Sequence, residues 1–554
     1  MATLFAGDAR TAIIASLSLC GAAVAVYYAK RSTVKLPLPP GPSGLPLIGN
    51  ALDIPAENFW LKYKEWSDQY GSDVIYLSIM GNPVVVLNSL AACKELLETR
   101  SSIYSSRPNM PMMNELIGFD WHFGFMPYGD EWKGTRFNFL IVAKFVTHFS
   151  VEERRKMFQQ VFHPTRTEFY RPKLLKAVRN FLIRLLDDPK DYFAHCRLLA
   201  GAFILDVTYG IDVKNEDDIY IAQAERGMAA MAAAGTASSY MVDFFPSLKY
   251  LPSWLPGAQF KREAKAWRKD VTAMPRDCLR FVEDGLASPS VPFAVGLEIL
   301  ISTNRNGGIP GRVWPPYCSR SLKNMMMITK RRRELFMTYL DPSGSDTTVS
   351  SFKTFFLAMA QNPDIQKKAQ GAVDKVVSEL GRLPDFTEYG TLPYIEALVR
   401  EVLRWRPVTP IAVPHQVTQD DVYHGYHIPA DSTILPNAWA IAHDPALYGP
   451  NPGVFDPSRF MNASQTEINH DMPMGYEAFG YGRRICPGLH IAVESVWLFA
   501  VSVLAAFNVK PADGESESEN FGKYTSGMLI HPYPFELRIV PRDPDAEAMV
   551  RSYD

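Results

Sequence analysis

The sequence predicts one large, mainly α-helical domain with small β-sheets, preceded by a single N-terminal transmembrane helix. Over long stretches of the 554 residues, apolar residues recur three or four positions apart, which is typical of helices packed on a core. Hydrophobic residues make up 47% and charged residues 21% of the chain, as in ordinary globular proteins. This composition excludes a disordered chain and a multi-span membrane protein. One uncharged run near the N-terminus stands apart from it.

That run, residues 12–29, reads AIIASLSLCGAAVAVYYA and is followed by Lys30 and Arg31. At 1.5 Å per residue a helix of this length spans about 27 Å, enough for one pass through a bilayer. Because the basic residues follow the run, the positive-inside rule leaves the remainder in the cytosol. A cleaved signal peptide and a soluble alanine-rich helix are alternatives, although a signal peptide carries its positive charge before the apolar run. We therefore interpret residues 1–35 as a membrane anchor and the Pro-rich residues 36–50 as a stiff linker.

The remaining elements follow from local patterns. Residues 72–88 contain two β-branched runs around Gly81-Asn82-Pro83, which predict a hairpin. Apolar periodicity predicts helices over residues 89–99, 154–185, 258–285, 351–379, 391–405 and 488–506. Short strand-like pieces lie within residues 407–460 and near 524–541. No composition shift after residue 50 marks an interdomain linker, so residues 36–554 are predicted to form one domain.

The net charge and the cysteine content argue against several classes of protein function. With 57 basic and 59 acidic residues the formal net charge is −2, so no basic excess favours nucleic-acid binding. Six cysteines are too few for a disulfide framework, and without a C-x-x-C pair they do not favour structural zinc. The bulk of the chain is thus predicted to be a reduced, cytosol-facing globular protein.

The most informative segment is residues 479–488, FGYGRRICPG. Its three glycines permit a tight loop whose amides can point at a sulfur anion, and the helix that follows favours a thiolate at its N-terminus. Arg484 offers a planar fork for a carboxylate, and Phe479 would pack against an apolar disc. A lone cysteine is usually a small buried hydrophobe, but these surroundings favour a ligand role for Cys486.

FGYGRRICPG resembles the haem-binding signature of the cytochrome P-450 monooxygenases, and the resemblance runs from the anchor to the C-terminus. Within the family the chain resembles the fungal microsomal type and is similar to O-methylsterigmatocystin oxidoreductase-like enzymes. The resemblance implies the cytochrome P-450 fold and haem b (iron protoporphyrin IX) as cofactor. It makes Cys486 the proximal thiolate ligand of the iron, Arg484 a partner of a haem propionate and Phe479 a haem contact.

Two further segments resemble the structural core of this family. Glu401-Val-Leu-Arg404 matches its E-x-x-R pair, and Phe455-Asp-Pro-Ser-Arg-Phe460 matches the segment whose arginine, here Arg459, completes a buried charge network beneath the haem. Taken alone, a Glu–Arg pair three residues apart is usually a solvated surface pair.

Gly344-Ser-Asp-Thr-Thr348 resembles the oxygen-activating motif of the family's central helix. The resemblance implies that Asp346 and Thr347 relay protons, while Gly344 loosens the helical hydrogen bonding. Taken alone, the segment would be interpreted as a Ser/Thr-rich helix N-cap.

The resemblance also outlines the substrate pocket. Pro414-His415 matches the end of a pocket-lining strand, which gives His415 the role of a propionate contact. Residues 408–413 and 525–529 match apolar wall positions, and residues 107–121 match the loop over the pocket. Ordinary core packing is the alternative for each wall residue.

The chain departs from the family at two places. Tyr128-Gly-Asp-Glu-Trp132 resembles the start of a haem-flanking helix, in which an arginine follows Trp132 by four positions. Arg154 reaches that spacing only if residues 134–151 are excised, so our hypothesis is that they are translated intron, and Trp132 and Arg154 are predicted haem contacts. Residues 299–342 are basic and loop-like and place a proline directly before the motif, which suggests a mis-spliced exon edge.

These resemblances imply a membrane-anchored monooxygenase that inserts one oxygen atom of O₂ into a lipophilic small molecule. Electrons would come from NADPH-cytochrome P-450 reductase, with the enzyme in the endoplasmic reticulum membrane and its catalytic domain in the cytosol. A haem-thiolate isomerase or dehydratase, and a haem-binding pseudoenzyme disabled by the irregular segments, are the alternatives. The substrate stays open, because specificity in such a fold lies on loops.

Overall fold

A computed structural model describes residues 36–122, 124–128, 167–213, 215, 218–235, 240–287 and 343–553. The predicted anchor 1–35 and the irregular segments 134–151 and 299–342 lie outside these ranges. The longer helices within them, α1 to α10 in chain order, are Phe59–Tyr70, Arg171–Asp187, Tyr192–Tyr209, Ile219–Gly235, Gln259–Ala287, Ser343–Gln361, Pro363–Leu380, Pro393–Trp405, Leu489–Ala506 and Pro544–Arg551.

The strands, β1 to β8 in chain order, are Val74–Ile79, Asn82–Leu87, His415–Gln416, Asp421–Tyr423, Tyr426–Ile428, Thr433–Pro436, Phe507–Pro511 and Leu537–Pro541. They form one four-stranded sheet in the order β1-β2-β6-β3 and two two-stranded sheets, β4-β5 and β7-β8. The prediction of a mainly helical domain with small sheets is confirmed by this arrangement.

The four-stranded sheet joins distant parts of the sequence. The predicted hairpin is present as the antiparallel pair β1–β2, with Val74 opposite Leu87, and Gly81 adopts a φ of +82° in its turn. On its other side β2 pairs in parallel with β6, with Val84 opposite Thr433. The N-terminal hairpin is therefore completed by a strand from the C-terminal part of the domain.

The single helix predicted over residues 351–379 is two helices in the structure, so the predicted bounds were wrong. α6 already begins at Ser343 and ends at Gln361, and α7 begins at Pro363. Proline has no backbone N–H and disfavours the helical conformation of the residue before it. Asn362 accordingly has φ −129° and ψ 71°, outside the helical region, and Pro363 starts the new helix.

α9 forms the centre of the helical core. It is apolar over most of its surface, although its Glu494 pairs with Arg171 of α2. It packs against α2, α6, α7 and α8, and the rings of Phe352 and Phe499 stack with centroids 4.1 Å apart. Among the described residues, α9 is the helix long and apolar enough to cross a membrane, with a mean hydropathy of 1.9. Most of it is buried inside the domain, as expected of a core helix rather than the predicted N-terminal anchor.

Candidate active site

A cavity of about 280 Å³ lies where α6 and the start of α9 approach each other. α6 contributes Gly344 and Thr347, and the segment before α9 contributes Phe479, Arg484 and Cys486. Except for a few polar groups the lining is apolar, which is the usual character of a site for a small molecule or an organic cofactor.

The loop that presents Cys486 is closed by main-chain hydrogen bonds. The N–H of Cys486 donates to the carbonyl of Phe479 at 2.8 Å, and that of Ile485 donates to Gly482 at 3.2 Å. Gly482 has a φ of +54°, and a Cβ at this position would lie 2.2 Å from the carbonyl oxygen of Leu97. Glycine is therefore required here both by backbone conformation and by space.

Cys486 differs from the other cysteines of the described chain. Cys93, Cys196 and Cys278 are buried and form no disulfide with one another, and burial raises the pKa of Cys196 to about 12. Cys486 is exposed, lines the cavity and lies just before α9, which begins at Leu489. The partial positive charge of a helix N-terminus favours a thiolate at such a position.

Three basic side chains converge on one part of the cavity: Arg107, Arg484 and His415. Arg107 donates through Nη1 to the carbonyls of Val413 and Pro414, both at 2.8 Å. Arg484 donates through Nε to the carbonyl of Ser105 at 2.8 Å, and Nδ1 of His415 lies 2.8 Å from the carbonyl of Tyr104. In each of these contacts the partner is a neutral main-chain carbonyl oxygen, which orients the side chain.

Burial and mutual repulsion perturb this basic group. Burial, followed by the charge of Arg484, lowers the pKa of Arg107 well below its usual value. Burial and the charge of Arg107 likewise lower the pKa of His415 well below its ordinary range. No carboxylate is found among the described residues that line the cavity. A cofactor bearing carboxylates beside a thiolate-binding metal fits these residues, and haem has both features.

The predicted apolar wall is only partly in the cavity lining. Val408, Ala412 and Val413 line it, and so do Met528 and Leu529. Ile411 instead packs in a separate cluster with Trp60 and Ile75.

The loop predicted to cover the pocket, residues 107–121, is also divided. Arg107 lines the cavity, whereas Met112 and Met113 are fully buried in the cluster behind it. Sequence reasoning assigned no charge-binding role to Arg107 and missed His122, a second cavity residue. Burial and the charge of Arg107 lower the pKa of His122 to about 4. No spacing pattern in the sequence marks either residue.

Glu401, Arg404 and Arg459 lie in mutual contact, as their predicted network requires. Arg404 donates through Nε and Nη2 to the two carboxylate oxygens of Glu401, both at 2.7 Å, and Nε of Arg459 donates to Oε1 at 3.2 Å. The N–H of Asp456 adds a fourth hydrogen bond to this carboxylate at 2.8 Å. Because Glu401 and Arg404 are 0% exposed, each depends on the other for compensation of its charge.

Asp346 and Thr347 are adjacent in sequence but belong to different faces of α6. Thr347 lines the main cavity, whereas Asp346 lines a smaller cavity of about 40 Å³ and lies 3.3 Å from Nε2 of His531. Successive helical residues are rotated by about 100°, which separates the two side chains. The hydroxyl of Thr348 also lines the main cavity but donates to the carbonyl of Gly344 at 2.7 Å.

Trp132 and Arg154, the two haem contacts predicted around the irregular segment, lie outside the described residues. Their roles therefore stay predictions. His531 was missed by sequence reasoning, because its partner Asp346 is far away in the chain.

Comparison with known proteins identifies the family. The family model described as Cytochrome P450 matches residues 39–274 and 336–539. Tryptamine 4-monooxygenase of Psilocybe cyanescens is 36% identical over 540 residues, covering 96% of this chain and 97% of the relative. Cytochrome P450 monooxygenase COX2 of Coprinopsis cinerea is 38% identical over 548 residues, covering 97% of this chain and 95% of the relative.

A third relative, cytochrome P450 monooxygenase 98 of Postia placenta, is 36% identical over 537 residues. The alignment covers 96% of this chain and 96% of the relative. Matches of this extent cover both the cysteine loop and the helix that contains Thr347. The chain thus belongs to the cytochrome P450 family, and it is a monooxygenase of that family.

Proposed function

We propose that this monooxygenase binds haem b through Cys486 and inserts one oxygen atom of O₂ into a neutral, lipophilic small molecule. The observation that carries the proposal is the position of an exposed cysteine in the lining of a largely apolar cavity, with two buried arginines in the same lining. A haem bound through a thiolate supplies the chemistry of dioxygen activation.

The protein side chains have separate tasks in this proposal. Cys486 holds the iron, and the rigid loop around it limits movement of the sulfur. Arg107 and Arg484 bind the propionates, with His415 beside them, which compensates buried positive charge with negative charge. Thr347 holds a proton at its hydroxyl within the cavity, and Asp346, whose partly exposed carboxylate takes up a proton from water, passes it on from the adjacent face of α6.

The residues that line the main cavity also favour one class of substrate, an uncharged lipophilic molecule. Apolar groups such as Phe125, Met231 and Leu529 would exclude water and bind hydrocarbon surface. The name of one relative gives tryptamine as its substrate, and a carboxylate is the strongest side-chain partner for a buried protonated amine. The described lining offers none, so we propose an uncharged substrate for this chain.

The electron donor and the location complete the proposal. We propose that NADPH-cytochrome P-450 reductase supplies the electrons and that residues 12–29 anchor the enzyme in the endoplasmic reticulum membrane, with the haem domain in the cytosol. The uncharged run followed by Lys30 and Arg31 supports this orientation.

A ferrous–CO difference spectrum tests the ligand assignment. The wild-type protein is expected to give the red-shifted Soret band of a thiolate-ligated haem, and Cys486→Ala is expected to abolish it. Cys278→Ala removes a buried thiol that does not line the main cavity, and it serves as the matched control that keeps the band. A red-shifted band that survives in Cys486→Ala would show that another residue binds the iron.

Turnover with reductase, NADPH and labelled dioxygen tests the reaction. One labelled oxygen atom in the product, with NADPH consumed, is expected of a monooxygenase. Turnover without NADPH and without label would instead identify an isomerase or dehydratase. A protein with the red-shifted band but no turnover of any lipophilic compound in a spectral-binding screen would be a pseudoenzyme.

A further inference from the structure

Hydrogen bonds fix the segment that contains His531, and one of them comes from α6. The hydroxyl of Ser350 on α6 donates to the carbonyl of Ile530 at 2.6 Å, and the N–H of Ile530 donates to Val408 at 2.9 Å. The N–H of His531 donates to Oγ1 of Thr525 at 3.0 Å, while the N–H of Thr525 donates to the carbonyl of His531 at 2.8 Å. The backbone position of His531 is therefore fixed relative to the helix.

From this position the imidazole reaches the carboxylate of Asp346, one helical turn before Ser350. Nε2 of His531 lies 3.3 Å from Oδ2 of Asp346, and both side chains are partly exposed, at 22% and 30%. The same short segment places Met528 and Leu529 in the lining of the main cavity. One segment thus contributes to the substrate cavity and holds the carboxylate on the adjacent face of α6.

Other charged groups surround this pair. Burial alone would raise the pKa of Asp346, but the hydrogen bond from His531 and the positive charges of Lys353 and Arg197 lower it below its usual value. Arg197 is itself paired with Glu225 at 2.8 Å. His531 provides the hydrogen bond to Asp346, whereas the two cations act on the carboxylate through their charge.

We propose that His531 is a positioning residue for oxygen activation, because its hydrogen bond holds the Asp346 carboxylate on the face of α6 next to that of Thr347, where it can take up a proton from water and pass it on. This role rests on the proposed function, in which Asp346 supplies protons to Thr347. Without the imidazole, the carboxylate on the first turn of α6 would rotate among other rotamers and towards Arg197 or solvent. Electron transfer would then continue while proton delivery lagged behind, so reduced oxygen would be lost as hydrogen peroxide.

The test compares two substitutions of His531. His531→Gln keeps an N–H donor near the position of Nε2, whereas His531→Leu removes the donor at similar volume. With reductase and a turned-over substrate, His531→Leu is expected to lower the product formed per NADPH several-fold and to raise peroxide by the corresponding amount. His531→Gln is expected to restore most of the ratio, and Asp346→Asn/His531→Leu is expected to be no worse than Asp346→Asn alone.

A second measurement, the free energy of unfolding, tests the same pair without depending on turnover. In a double-mutant cycle of denaturant unfolding, His531→Leu and Asp346→Asn are expected to be non-additive. The control is His427→Leu, which removes the histidine of another His–Asp pair, Nε2 to Oδ1 of Asp420 at 3.5 Å, on the β4–β5 sheet. It is expected to be additive with Asp346→Asn and to leave the product ratio unchanged.

Different failures have different meanings. A wild-type product ratio in His531→Leu, or an additive His531–Asp346 cycle, would overturn the role of His531 while leaving the monooxygenase proposal in place. Failure of His531→Gln to restore the ratio would overturn positioning through the hydrogen bond. A wild-type protein that shows no NADPH-dependent turnover would overturn the proposed function and this role together.

Discussion

Two regions of the site differ in the interactions that hold their side chains in place. One lies around Cys486 and Glu401, and the other lies around Asp346. The first is made of main-chain hydrogen bonds and an ion cluster in which Glu401 and Arg404 are 0% exposed. The second depends on one side-chain pair that joins remote parts of the chain and is partly exposed. In the proposed function Cys486 is a metal ligand, which must not move, whereas Asp346 passes on protons and must be able to exchange them with water.

The difference has an energetic basis. A buried charge network stabilises the fold only when every member has its partner, so it tolerates no loss. A partly exposed pair loses little free energy when it breaks, because water replaces the missing partner. Substitutions in the Glu401 network should therefore act mainly on stability, and substitutions in the second region should act mainly on chemistry, with only a small coupling free energy in unfolding.

The largest expected effect is that of Arg404→Ala. It leaves the Glu401 carboxylate buried without its bidentate partner, so the free energy of unfolding is expected to fall by about 3–5 kcal/mol in a denaturant titration. Arg551→Ala is the matched control, because Arg551 pairs with Asp187 at 2.6 Å but both side chains are exposed. Its loss is expected to stay below about 1 kcal/mol. Equal losses in the two variants would contradict the contrast drawn above.

Gly482→Ala should have the next largest effect. Both Gly482 and Gly381 have positive φ, of +54° and +63°, but a Cβ would clash only at Gly482, whereas nothing lies within 4 Å at Gly381. Gly381→Ala is expected to cost about 1–2 kcal/mol for its backbone conformation. Gly482→Ala is expected to cost about 1–3 kcal/mol more and to release haem faster, which absorbance after addition of apomyoglobin would measure. Similar values for both variants would show that the loop can move away from Leu97.

Thr347→Ala should have the smallest effect on stability and a selective effect on chemistry. The free energy of unfolding is expected to change by less than about 0.5 kcal/mol, while product per NADPH falls on the order of tenfold. Thr348→Ala is the neighbouring control, because its hydroxyl donates to the carbonyl of Gly344. If Thr348→Ala caused the larger loss of product, the proton-holding role would belong to Thr348 instead.

Local sequence patterns were enough to predict those parts of the site whose residues lie close together in the sequence. The cysteine loop, the Glu401–Arg404 pair and the β1–β2 hairpin are each set by residues a few positions apart, so spacing alone located them. Arg107, His122 and His531 could not be found in this way, because their roles arise from burial and from partners more than a hundred residues away or in a cavity. The break at Pro363 could have been predicted, since proline interrupts a helix wherever periodicity suggests a continuous one.

The parallel pairing of β2 with β6 has a consequence for how the chain folds during its synthesis. While the ribosome synthesises the chain, the edge of β2 stays unpaired until residues 433–436 have emerged. An open strand edge can pair with other chains, and a contact between such distant residues forms slowly. We therefore expect nascent chains to expose an unpaired strand edge until β6 has been synthesised, and a fragment truncated before β6 to aggregate rather than to form a smaller working domain.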